Sequence, residues 1–266
     1  MRVEYGCLVR VEDWDLQDGN FKVPAGITKI GEKCFADCTT LKVVELPDTV
    51  TEIKDWAFFL CESLEEVYMT DSVTSIGDRA FEECFNLKKV RLSNSIETIP
   101  FSCFRKCALK EVEIPASVKV IEGHAFACNA QLEKVKFLGN NLKRIEEQAF
   151  WECSSLEKVG LPRGLEVIKK GAFFDCDNLK QVFIPDTITV IEDRAFSKCK
   201  ILTHASVVKK AFVHKNAFPT NTDVSRDDVL KADAEHSSAG YNASVLDSVL
   251  KEAIETKGKL GEISRM

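Results

Sequence analysis

The apolar positions of this chain return in a fixed order rather than at a helical or strand period. The stretch "AFWECSSL" comes back as "AFFLCESL", "AFEECFNL" and "AFFDCDNL". Aligned on the frame I-x-x-x-A-F-x-x-C-x-x-L-x-x-V-x-L/I-P-x-x-V, successive units open at Ile30, Ile53, Ile76, Ile99, Ile121, Ile145, Ile168 and Ile191. The spacing is 23 residues, with one of 22 before Ile121 and one of 24 before Ile145. A unit of this length has too little core of its own. A fixed period therefore predicts a solenoid in which each unit buries its apolar face against its neighbours.

Within each unit the segment L-x-x-V-x-L/I, for example Leu64 to Met69, alternates apolar and polar residues and reads as a short strand. Pro47, Pro115, Pro162 and Pro185 end it, because proline cannot donate to a continuing ladder. Equivalent strands one period apart stack in parallel at about 4.8 Å per rung. The expectation is about eight 23-residue units with a parallel sheet on one face. The fourth unit, "CALKEV", has lost one residue between Cys107 and Leu109, and the fifth gains one around Gly139 to Asn141.

The ends read differently. Residues 1–29 form an N-terminal cap, in which "FKVPAGITKI" supplies only the second half of a unit, and residues 30–218 carry the repeats. Val213 to Phe218 opens one more unit, after which the pattern stops. Residues 219–266 read as a helical tail. One short helix is expected from Ser225, with Ser225 as N-cap and Asp228 three residues on, and a second from about Ser244 to Lys257 with Val245, Leu246, Val249, Leu250, Ala253 and Ile254 on one face. The tail is expected to cover the last rung, to pair with a copy of itself, or to begin a linker or further domain.

The frame, as in "IPDTITVIEDRAFSKCKIL", resembles the leucine-rich repeats of the BspA type over roughly residues 21 to 218. The resemblance implies an α/β-type, right-handed leucine-rich repeat solenoid and a role in binding proteins or cell surfaces. It carries over no catalytic residue, because the family frame is structural. Many relatives are exported surface proteins.

Candidate chemistry is thin beside this. Cys38, Cys61, Cys84, Cys107, Cys153, Cys176 and Cys199 share one slot, with Asn129 there in the fifth unit, and Cys34 and Cys103 replace the alanine. A row of thiols pointing the same way offers neither the converging pair of a disulfide nor the closed cluster of a zinc site, so these read as buried packing groups. Cys7 and Cys128 lie outside both columns and are the candidate exposed thiols. The phenylalanines Phe35, Phe58, Phe81, Phe104, Phe126, Phe150, Phe173 and Phe196 form a predicted stacked spine. No histidine pair, phosphate-binding loop or other catalytic motif is present, and "KGKLG" lacks the hydroxyl of one. Asn242-Ala243-Ser244 matches a glycosylation triplet, a motif short enough to arise by chance.

The 266 residues carry 29% charged side chains and a net charge of -6, which argues against a broad nucleic-acid surface. No run approaches the roughly 18 apolar residues of a membrane helix, and no export signal is visible near the N-terminus, so the chain as written reads as cytoplasmic, or as surface-exposed or secreted if it has been trimmed. The partner-facing candidates are the strand positions that flank the inward valine. Their charges alternate in sign from Glu66 through Lys89 and Arg91, then Glu111 and Glu113, to Lys134 and Lys136, which suits an internal ladder of ion pairs. Tyr68, Arg91 and Phe183, with Lys89 and Lys136, are the candidate contacts, because exposed aromatics and arginine are the usual interface anchors. Trp56, Phe59, Trp151 and Phe174 adjoin the Ala-Phe pair, as half-buried covers or a second apolar patch. The reading is a non-catalytic protein-interaction module without metal or cofactor, whose partner is a protein or cell-surface macromolecule. A trimmed adhesin and, less favoured, a thiol enzyme or redox sensor are the alternatives.

Overall fold

The computed structural model describes residues 1–227, all within one compact unit, Met1–Leu230. It is a parallel-strand solenoid of about ten turns, two more than the repeats alone suggested. Both additions lie at the ends. Cys7–Arg10 pairs in parallel with Lys29–Ile30, setting Leu8 in register with Ile30, and Asn20–Lys22 pairs with Val43–Glu45. The first coil thus lies inside the expected cap, where "LVRVEDWDLQDG" has lost the Ala-Phe and Cys of the frame. At the other end Phe212–Val213 pairs with Val190–Ile191, and Asp223–Asp227 with His204–Val208.

The helix expected from Ser225 is corrected by that last pairing. Ser225 lies in the strand Asp223–Asp227, opposite Ser206, and their hydroxyls meet at 2.8 Å. An exposed ladder edge offers this segment more hydrogen bonds than one short capped turn. Among the described residues the helical content is the single 3-10 turn Asp13–Asp15. The helix expected over residues 244–257 falls outside the described residues.

Each full coil contributes two strands. The longer, such as Glu66–Tyr68 or Lys134–Phe137, builds the expected strand-lined face in four hydrogen-bonded runs, of four strands and then two, two and two, and in these two strands the valine is buried between exposed or half-buried neighbours. The shorter is the dipeptide ending in the opening isoleucine, as in Glu52–Ile53, and forms a second ladder. That second ladder breaks once, between Ser75–Ile76 and Thr98–Ile99. Elsewhere the residue after the isoleucine donates to the preceding isoleucine's carbonyl, as Gly77 does to Ile53 at 2.7 Å. At the break that residue is Pro100, which has no N–H to give.

Between the ladders the Ala-Phe segments stack. Nine parallel rings run from Phe35 to Phe218, with centroids 4.7–5.5 Å apart and planes within 10°. Phe21 closes the N-terminal end edge-on, at 5.2 Å and 78° to Phe35. The cysteine column is more than filling. Cys61 Sγ donates to the Phe35 carbonyl at 3.1 Å, Cys84 to Phe58, Cys107 to Phe81, Cys153 to Phe126, Cys176 to Phe150 and Cys199 to Phe173, each bond crossing from one coil to the one before. Asn129 keeps that bond, its Nδ2 donating to the Phe104 carbonyl at 2.7 Å. Its Oδ1 meanwhile accepts from the Leu109 N–H at 3.3 Å. In unaltered coils this N–H is taken by the carbonyl three residues back, as Leu87 donates to Cys84. The deletion before Leu109 removes that partner, and the asparagine on the next coil supplies a replacement.

Asn129→Ala is therefore expected to destabilise by about 2–4 kcal/mol, because it leaves the Phe104 carbonyl and the Leu109 N–H short of partners in the core. Cys153→Ala removes one thiol donor and should cost about 1–2 kcal/mol. Urea unfolding of both variants checks the order, and equal losses would contradict the special role of Asn129.

Candidate binding face

Of the five candidate residues on the longer strands, Tyr68, Lys89 and Arg91 lie together on adjacent strands, and Lys136 and Phe183 stand apart on separate ones. Tyr68 and Arg91 are register partners on the adjacent strands Glu66–Tyr68 and Lys89–Arg91. The Tyr68 ring is 43% exposed. Its hydroxyl donates to Glu66 Oε2, and Lys89 Nζ sits 5.2 Å from its ring centroid. The Tyr68 hydroxyl and the Glu66 carboxylate both raise the Lys89 pKa, so this cation is held charged. Arg91 turns along its own side of the ladder, where Nη1 donates to the Met69 carbonyl and Nη2 reaches Asp71 Oδ1 at 3.1 Å. Asp71 also accepts from the backbone and side chain of Asn94, which with Arg91 hold its pKa below the usual carboxylate value.

Lys136 bridges Glu111 at 2.8 Å and Glu113 at 2.9 Å, and both carboxylates raise its pKa. Phe183 is half-buried and pairs in register with Gly160, itself buried. It lies four coils beyond Arg91, about 20 Å at the ladder spacing, and so forms no cluster with Tyr68. The alternating charges close partly as expected. Lys89 meets Glu66 at 3.9 Å and Lys134 meets Glu111 at 3.9 Å, in line with an internal ladder of exposed pairs that each contribute little.

The sequence profile of the BspA type leucine rich repeat region matches residues 17–133 and 97–225, in six copies. The chain belongs to this family. BspA-type repeats support a protein-interaction or adhesin-like role, and leucine-rich repeat proteins are generally non-enzymatic. Among solved structures, a leucine-rich repeat protein of T. pallidum, TpLRR, is similar at 32% identity and TM-score 0.56, over 60% of this chain and 77% of that one. The pneumococcal vaccine antigen PcpA shares the fold at 22% identity and TM-score 0.52, over 78% of this chain and 62% of its own. A leucine rich cell surface protein of Faecalibacterium prausnitzii has 26% identity and TM-score 0.41, over 69% and 58%. No curated protein matches the chain. No helix of the described residues is long and apolar enough to cross a membrane.

In this BspA-type solenoid eight of the buried thiols are poor nucleophiles. Burial pushes Cys34 and Cys38 up to about 12 and raises Cys61, Cys84, Cys103, Cys107, Cys153 and Cys176 as well. Cys128, a candidate exposed thiol, is half-buried, and its Sγ lies 3.5 Å from Glu152 Oε2. Burial first and that carboxylate second raise its pKa, the reverse of what a reactive thiolate needs.

One row of residues escaped the sequence reading. On the turns beside the phenylalanine spine, two cations and four aromatic rings form a row. Lys33 lies 5.2 Å from Trp56, Arg79 lies 5.6 Å from Trp56 and 5.3 Å from Phe101, and His124 lies 5.5 Å from Phe101 and 6.2 Å from Trp151. Trp56 and Trp151 are thus half-buried covers, and Phe174 is similarly capped by Lys198 at 4.9 Å. Reading down the slot three residues after the opening isoleucine would have shown Lys33, Trp56 and Arg79 in succession and, past Ser102, His124. Phe85, 45% exposed, is a further aromatic that breaks no rule of the frame and so drew no notice.

Two measurements follow from these environments. The nine buried cysteines should resist a thiol reagent in the native chain, with Cys7 and Cys128 the only ones to react, whereas all eleven should react after denaturation. Burial, and after it Arg105, lowers the His124 pKa below 6.5, with Glu147 and Glu82 opposing and Arg79 assisting. The unfolded chain then takes up the proton first as pH falls, so stability is lost on going from about pH 7.5 to about pH 5.5. Thermal melts of His124→Phe across that range should lose less than wild type, and parallel losses would exclude the histidine as a contributor.

Proposed function

We propose that the chain is a non-catalytic interaction module that recognises a protein or cell-surface macromolecule on its longer, strand-lined ladder. The observation that carries this reading is the braced state of Tyr68, Lys89 and Arg91. Anchor-type side chains project from a rigid ladder, and Glu66, Asp71 and the Met69 carbonyl hold them in place. Side chains already fixed in the free protein lose less conformational freedom when a partner docks. Lys136 and the half-buried Phe183 extend the face along the solenoid, so that the partner engages at two places about 20 Å apart.

An adhesin role is the second reading. BspA-type repeat proteins are typically at the cell surface or secreted. The thiol chemistry suits that setting, since the columnar cysteines donate to carbonyls instead of standing open to oxidation.

Capture from host lysate and from host-surface extracts is to be compared between wild type and Tyr68→Ala/Arg91→Ala/Phe183→Ala, after circular dichroism confirms equal folding. A partner retained by wild type and reduced at least about tenfold on the triple variant supports the ladder as the binding face. Equal capture would move the site to another surface.

A further inference from the structure

Four of the nine large apolar side chains exposed among the described residues fall within the first fourteen positions. They are Met1 at 55%, Val3 at 43%, Tyr5 at 106% and Trp14 at 80%. Met1 and Val3 alternate along the strand Arg2–Glu4 and its start, and Tyr5 stands in the two-residue turn that follows, where it and Gly6 are both in the left-handed region. The fourth is drawn to the same corner. The Met1 ammonium donates to Asp15 Oδ2 at 2.5 Å, and that oxygen also accepts the Glu12 N–H at 3.0 Å, tying the turn that carries Trp14 to the start of the strand.

Arg2–Glu4 is the terminal strand of its sheet, paired on one side only, with Cys7–Arg10. Glu4 and Cys7 flank the two-residue turn and form its closing pair. Alternation along an antiparallel strand therefore turns the N–H and C=O of Val3 to the outer edge. Natural edges are usually blunted by short strands, charged side chains, proline or a bulge, and this edge carries the first two in its three-residue length and its Arg2–Glu4 ion pair. Here no proline or lysine lies between Met1 and Arg10. The one irregularity, Arg2 facing Arg10 while Val3 faces Leu8, places the extra residue, Val9, on the inner strand and leaves the outer one regular.

We propose that this outer edge joins two copies of the chain, with Arg2–Glu4 of each copy pairing antiparallel about Val3. The local sequence is complementary to itself in that arrangement. Met1-Arg2-Val3-Glu4 reads apolar, positive, apolar, negative, so a pairing centred on Val3 sets Arg2 opposite Glu4 twice, in exchange for the ion pair these two make with each other within the strand. Opposite charges directly across a sheet attract and like charges repel. The contact is isologous and closes as a two-fold dimer. Trp14 supplies an anchor at its rim. A strand this short buries little area, so the dimer is weak and reversible.

Sedimentation equilibrium of the full chain over a concentration series tests the pairing. Wild type is expected to pass reversibly from monomer to dimer. Arg2→Glu and Glu4→Arg each set like charges opposite one another twice and should weaken self-association roughly tenfold. The double exchange Arg2→Glu/Glu4→Arg restores both pairs and should restore the dimer. An equimolar mixture of the two single variants should associate as a heterodimer more tightly than either alone. Tyr68→Ala/Arg91→Ala/Phe183→Ala should dimerise like wild type, which separates this edge from the strand-lined face. A wild type that stays monomeric, single variants that associate like wild type, a double exchange that fails to recover, or a mixture no tighter than its components would each overturn the proposal.

Discussion

No full coil among the described residues satisfies its own buried polar groups; each passes them along the solenoid axis. The phenylalanine of a coil donates its N–H to the carbonyl before the phenylalanine of the next, as Phe58 does to Ala80 at 2.7 Å. Its own carbonyl accepts twice, from the Cys61 N–H within the coil and from the Cys84 thiol of the coil that follows. An unpaired backbone group at 0% exposure is costly, so this hand-over dictates what can stand in the neighbouring slots. It accounts for cysteine where a plain hydrophobe would fill the space, and for the one asparagine that replaces it.

The same demand shapes the turns. Two residues in each full coil occupy the left-handed region, for example Trp56 and Leu60, or Arg79 and Glu83, and in eight coils glycine appears there once, as Gly171. A side chain in that conformation costs about 1–2 kcal/mol. The return is direction. Trp56 and Leu60 aim their N–H groups at Asp78 and Glu82 of the next coil, at 3.0 and 3.1 Å. Because the backbone demand is met without glycine, these slots are free to carry tryptophan, arginine or histidine, and the row of rings and cations follows from that freedom.

What the sequence made legible was whatever repeats with a chemical identity. The period, the longer ladder, the phenylalanine spine and the buried thiols all rest on residues that recur by type. The shorter ladder was hidden because two residues show no alternation, and the break at Pro100 was hidden with it. Leu8 was missed because the first coil keeps the path of the frame while dropping its marker residues. Ser225 was misread because helix-start chemistry is local, whereas the ladder edge that claims the segment is built by residues some twenty positions earlier. At the candidate face the positions of Tyr68, Arg91 and Lys136 followed from strand alternation. Which carboxylate each cation chooses depends on side-chain reach across coils: Arg91 bends to Asp71 while Lys136 spans to Glu111 and Glu113.

The bond from Leu109 to Asn129 bears on how such an array can be rebuilt. Tandem units invite duplication, loss and exchange, and most coils here present the same thiol to the coil before and the same carbonyl to the coil after. The fourth and fifth do not, since the shortened one leaves an N–H that a cysteine in the next slot has no oxygen to receive. A shuffled array that carries "CALKEV" without the coil bearing Asn129 inherits a defect in its core. One that carries the asparagine behind a full-length coil gains an amide oxygen with nothing to hold. These two coils are one inseparable cassette in an otherwise modular chain.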